Sequence, residues 1–135
     1  MKTEIAIIIL AHSLSAFAQG TFQNLDFESA NPGTTFSFGV PVSSAVPDWT
    51  VTVGGVQQTQ IPVNGPSLGS AQVMLASTGG PIEPIDGSYS AFLTGNPSVT
   101  ASISQTGLIP VGTDSIFLML RKGLEAEAMA ILRFS

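Results

Sequence analysis

The sequence predicts an all-β domain packed as a sandwich, on three observations. Apolar and polar residues alternate one by one over several short runs, the period of a strand with one buried face. The runs are separated by turn formers, with 14 Gly and 9 Pro in 135 residues, so regular segments must be short. Charged residues make up only 10% of the chain against 44% hydrophobic ones, which supplies a core and argues against disorder. Size and composition fit a single domain.

Residues 1–18 read as an export signal. Lys2 precedes the apolar run Ile5 to Ala11, and Ala16-Phe17-Ala18 forms the small-x-small site before Gln19. An apolar N-terminal strand is the other reading of the same residues. The run is too short to span a bilayer, which takes about 20 apolar residues, and no later segment is long and apolar enough. The mature domain is then residues 19–135, secreted or displayed at the cell surface, with no membrane span of its own. It contains no cysteine, so no disulfide supports it in an oxidising compartment.

Phe22 to Glu28 is the first expected strand, with Leu25 and Phe27 on one face and Asn24, Asp26 and Glu28 on the other. Ala30-Asn31-Pro32-Gly33 ends it by turn chemistry. Thr34 to Val40 is the second strand, and Pro41 and Pro47 bracket a loop. Trp49 to Val53 is β-branched and forms a third, stopped by Gly54-Gly55. Gln57 to Gln60 reads as an exposed strand and Asn64-Gly65-Pro66 as a turn. Ala71 to Ala76 is a short buried strand.

Gly87 to Gln105 carries the clearest alternation. Tyr89, Ala91 and Leu93 alternate with polar or outward residues, as do Val99, Ala101 and Ile103, and Gly95-Asn96-Pro97 separates the two runs. The expected form is a hairpin of two strands paired with each other. Ser115 to Arg121 is apolar throughout and belongs in the middle of a sheet. The tail Gly123 to Ser135 contains good helix formers, yet Ala126 to Phe134 alternates strictly; a strand paired with Ser115 to Arg121 is preferred over a helix.

Several chemistries fall away. A net charge of −5 leaves no basic surface for nucleic acid. Gly65-Pro66-Ser67-Leu68-Gly69 has the form of a nucleophile elbow, but the sole histidine is His12, inside the leader, so no imidazole activates the serine in the mature chain. Without Cys or mature His there is no thiol nucleophile and no ordinary zinc site. A glycosidase needs two carboxylates roughly 5 to 10 Å apart, and Glu83 with Asp86 or Asp26 with Glu28 are the candidate pairs. The plainer reading makes Glu83 and Asp86 solvated loop residues. No residue is therefore assigned a catalytic role. Trp49, the sole tryptophan, and Tyr89, the sole tyrosine, are the candidate sugar-stacking residues; a Trp opening a strand is more often a core anchor.

Four short pieces, Asn24-Leu25-Asp26-Phe27-Glu28, Val46-Pro47-Asp48-Trp49-Thr50-Val51, Asp86-Gly87-Ser88-Tyr89-Ser90-Ala91 and Ile103-Ser104-Gln105-Thr106, resemble the motifs of galactose-binding-like jelly-roll domains. These include carbohydrate-binding modules and the related domains of bacterial exported proteins with a PEP-CTERM sorting tail. The resemblance implies a jelly-roll-like β-sandwich that binds a polysaccharide or other glycan. It also implies that Glu28 helps hold a structural calcium. Leu25 replaces the family's usual Gly, and the chain ends at Ser135 before the family's last strands and partner acid, so the domain is expected to be incomplete at its C-terminus. A sheet left short exposes an edge that can pair with a second copy. The functional expectation is a non-catalytic surface module that binds carbohydrate. A structural or matrix protein without a specific sugar is the alternative, and a glycoside hydrolase the remote one.

Overall fold

The computed structural model describes residues 20–67, 69–115 and Met119. The expected signal segment, the tail Gly123 to Ser135 and nearly all of the Ser115 to Arg121 strand lie outside these residues. Within them the fold is all-β. Its strands are β1 (Ser37–Pro41), β2 (Thr50–Val53), β3 (Val56–Gln57), β4 (Gln60–Val63), β5 (Gln72–Ser77), β6 (Tyr89–Thr94) and β7 (Ala101–Ser104), with one helical turn, α1 (Val42–Ala45), after β1.

Two sheets form, a four-stranded one in the order β1-β4-β5-β6 and a three-stranded one in the order β3-β2-β7. All neighbours are antiparallel except β4 and β5, which meet in parallel at Val63 and Leu75. The core lies where the sheets face each other. Val40, Ile61, Val63, Val73 and Leu75 from the larger sheet meet Val51 from the smaller, with Ala45 and Val46 from the α1 segment closing one end. Each is an apolar side chain removed from water, a gain of about 1.5 to 3 kcal/mol for a fully buried Val, Leu or Ile. β5 is buried on both faces from Val73 to Ser77, and β4 and β6 pair with its two edges.

The hairpin expected over Gly87 to Gln105 does not form. β6 pairs over its whole length with β5, from Tyr89 opposite Ser77 to Thr94 opposite Gln72, while β7 pairs with β2 in the other sheet. The turn between them is local: Asn96 bridges to Val99, and its Oδ1 accepts the Ser98 and Val99 N–H groups at 2.9 and 2.8 Å. Beyond it the chain crosses from one sheet to the other. Alternation reports that a strand has one buried face, but not which strand lies beside it.

The expected first strand is also absent. Asn24 and Phe27 have φ of 49° and 65°, in the left-handed region that no strand tolerates. Asn adopts it readily because its side chain can bond locally, and here Asn24 Oδ1 accepts the Ser29 N–H at 2.9 Å. Residues 25–29 are therefore turns, and the segment's one ladder contact is the bridge from Thr21 to Leu108. Leu25 is exposed while Phe27 packs on the core, so the two do not share a face.

Candidate functional site

The four sequence pieces quoted above come together at one end of the sandwich. Phe27 stacks on Trp49, ring centroids 5.3 Å apart and planes inclined by 25°. Trp49 Nε1 donates to the Asn24 carbonyl at 2.9 Å, and Asn24 Nδ2 donates to the Pro47 carbonyl at 3.0 Å. Gln105, just past β7, closes the arrangement. Its Nε2 donates to the carbonyls of Gln23 and Asp48, and its Oε1 accepts the Gln23 N–H. The bonds that Trp49 and Asn24 make, and those between Gln105 and Gln23, hold the strandless segment 22–29 against the smaller sheet. The bond from Gln105 to Asp48 ties the end of β7 to the approach to β2.

Glu28 ties the same segment to the larger sheet. Its Oε1 accepts the N–H groups of Ser88 and Tyr89 at 2.8 and 3.0 Å, where the chain enters β6. Gly87 makes this contact feasible twice over: its φ is +61°, and a Cβ there would collide with the Glu28 carboxylate. The glycine is required by a close approach as well as by backbone conformation.

Of the residues expected to meet ligand, Trp49 is half-buried against the core with one ring face on Phe27 and its N–H bonded. Tyr89 is half-buried and also packs against the core. Neither ring is fully exposed. Glu28 is exposed, but the atoms facing its Oε1 are amide hydrogens, whereas calcium takes six to eight oxygens. Among the described residues no group of three or more Asp, Glu, His or Cys could hold a metal ion.

The exposed aromatic surface lies elsewhere, and it depends on a bulge. Ser37 pairs with Val63 and Val40 with Ile61, so β1 carries one more residue than β4 between the two pairs. An extra residue reverses the side-chain alternation. Val40 is buried at 4% exposure, whereas Phe38, of the same parity, is 68% exposed; Phe36 beside it is 56% exposed. The two rings meet edge to face, centroids 5.1 Å apart and planes at 84°. A Cβ on Gly65 would stand 3.0 Å from Phe38 Cε1, so the ring is seated on that glycine. Thr34, Thr35, Ser37 and Gln60 bring hydroxyl and amide groups to the same edge of the larger sheet. Sequence alternation alone would put Phe36, Phe38 and Val40 on one face; no signal short of the strand register reveals the bulge.

A second feature, a shallow apolar depression of about 170 Å³, is lined by Thr21, Phe22, Leu25, Ile109, Pro110 and Thr113. It carries no ionisable group. Among the described residues no helix is long and apolar enough to cross a membrane. The chain matches no family model, no curated protein and no solved structure.

Proposed function

We propose that the domain is a non-catalytic exported module that binds carbohydrate, with the Phe36–Phe38 pair as its sugar-facing surface. The observation that carries this reading is the bulge in β1, which turns Phe38 outward beside the exposed Phe36 on an edge where alternation with Val40 would have buried it. Rings held edge to face present a fixed apolar surface against which the C–H face of a pyranose can lie, and the adjacent hydroxyl and amide groups suit its hydroxyls. Exposed aromatics in a cluster are the kind of surface that proteins keep for binding. A non-catalytic role is supported by the carboxylates: Glu28 is engaged by two backbone amides, and Asp26 Oδ1 accepts the Glu28 N–H at 3.2 Å.

Affinity electrophoresis through gels of neutral polysaccharides tests the proposal. Retardation of the parent chain, lost in a Phe36→Ala/Phe38→Ala variant that keeps its melting temperature, is the expected result. Unretarded migration on every glycan tried would dismiss carbohydrate binding. A structural role is the second reading, favoured because β1 is an edge strand, with Phe38 on it and Phe36 just before it. In that case the double variant would lose self-association in sedimentation, with no glycan effect.

A further inference from the structure

We infer that Asn64-Gly65 is a deamidation site that the native fold holds closed and that unfolding opens. The chain has four asparagines, and their successors differ decisively: Leu after Asn24, Pro after Asn31 and Asn96, Gly after Asn64. Deamidation begins when the backbone nitrogen of the following residue attacks the side-chain Cγ. Proline has no N–H to lose in that step, and a bulky successor hinders approach; glycine does neither. Asn64 is thus the most reactive asparagine of the chain when the backbone is free.

The balance of the reaction is simple. A bond forms between Gly65 N and Asn64 Cγ, the Cγ–Nδ2 bond breaks, and Nδ2 leaves as ammonia with the proton from Gly65 N. Water then opens the resulting succinimide to aspartate, or to isoaspartate, in which the main chain runs through the former side chain. Nothing is oxidised or reduced, and water is the sole co-reactant.

In the fold this path is blocked from several directions. Asn64 is 3% exposed, at the end of β4. Its Nδ2 donates to the Thr35 carbonyl at 2.8 Å and to Ser77 Oγ at 2.6 Å, and its Oδ1 accepts the Ser77 N–H at 3.0 Å. Its own N–H is held by the Leu75 carbonyl at 3.0 Å. Swinging Cγ toward Gly65 N breaks all three side-chain bonds inside a buried site, leaving their partners unpaired. The amide also has no lateral room, because Gly80 stands where a Cβ would collide with it. Gly65 is itself buried, under the Phe38 ring.

The product does not fit the site it leaves. A carboxylate at position 64 has no N–H for the Thr35 carbonyl and sets like partial charges against each other, and its own charge would be buried without a cation. Isoaspartate would add a backbone atom between β4 and the turn that follows. Each opening of this region therefore risks a change that native refolding cannot reverse, so the pair records how long the chain has spent unfolded.

The full chain, incubated at mildly alkaline pH with and without urea and followed by peptide mass mapping and isoaspartate methyltransferase labelling, provides the test. Conversion at Asn64 should be more than about tenfold faster in urea, because the native reaction must wait for local opening. After dilution, unconverted chains should regain native Trp49 fluorescence and converted ones should not. Equal rates in both conditions, or no conversion at Asn64 in urea, would overturn the inference, as would an Asn64→Asp variant that melts like the parent. Ser77→Ala, which removes one hydroxyl partner, should raise the native rate while leaving the rate in urea unchanged; an unaltered native rate would count against the lock.

Discussion

Glu28 and Gly87 are in contact because Gly87 has no side chain: the carboxylate occupies the space where its Cβ would be and bonds the two backbone N–H groups that follow. The pair joins the irregular segment 22–29 to Ser88 and to Tyr89, the first residue of β6, 60 and 61 positions further along the sequence.

Gly87→Ala should accordingly destabilise the fold. The left-handed backbone alone costs an L-residue about 1 to 2 kcal/mol, and displacement of the carboxylate adds to it. Urea denaturation of Gly87→Ala, Glu28→Ala and the double variant checks the origin of the cost. The double variant should lose less than the sum of the singles, since the clash disappears with the carboxylate; strict additivity would show that the two residues do not interact.

Glu28→Gln keeps an oxygen for the Ser88 and Tyr89 amides and should cost well under the roughly 1 to 2 kcal/mol expected of Glu28→Ala, given the exposure of the site. Added calcium should shift the melting temperature of neither the parent nor either variant. A calcium-dependent rise in the parent alone would support the metal role that the resemblance implies.

Trp49→Phe and Trp49→Ala separate packing from hydrogen bonding. The first loses the bond from Nε1 to the Asn24 carbonyl and should cost about 1 kcal/mol. The second also loses the stack on Phe27 and should cost about 3 kcal/mol. A negligible cost for Trp49→Ala, together with lost glycan retention, would make Trp49 a binding residue instead.

Gln105→Ala should loosen the N-terminal segment without touching the core. Hydrogen exchange at the Gln23 amide, held by Gln105 Oε1, should speed up, while amides of β5 keep their protection. Uniform loss of protection would show that Gln105 supports the whole sandwich.

Much of the strand pattern was legible in the chain, and its limits follow from what short-range patterns encode. Trp49 to Val53 and Ala71 to Ala76 announce β2 and β5 because β-branched and apolar runs bounded by Gly and Ser have few other uses. The same kind of alternation marks β6 and β7, yet both an adjacent hairpin partner and a distant one satisfy it. Phe22 to Glu28 shows alternation without a strand, because Asn24 and Phe27 take left-handed conformations whose reward is a set of contacts with Pro47, Trp49 and the Ser29 amide. Pro47 and Trp49 are more than 20 positions from Asn24, so no local reading contains them.

Single residues divide along the same line. Composition and periodicity by themselves determined an all-β chain with a small apolar core, no cysteine chemistry and a single histidine, His12, since these depend only on which residues are present and how they alternate. The tertiary structure decided which strands are neighbours, that Glu28 bonds Ser88 and Tyr89, and that Phe38 faces out while Val40 faces in. The physical reason is register: one extra residue in β1 opposite β4 reverses a side chain's direction, and that residue is extra only relative to a partner strand.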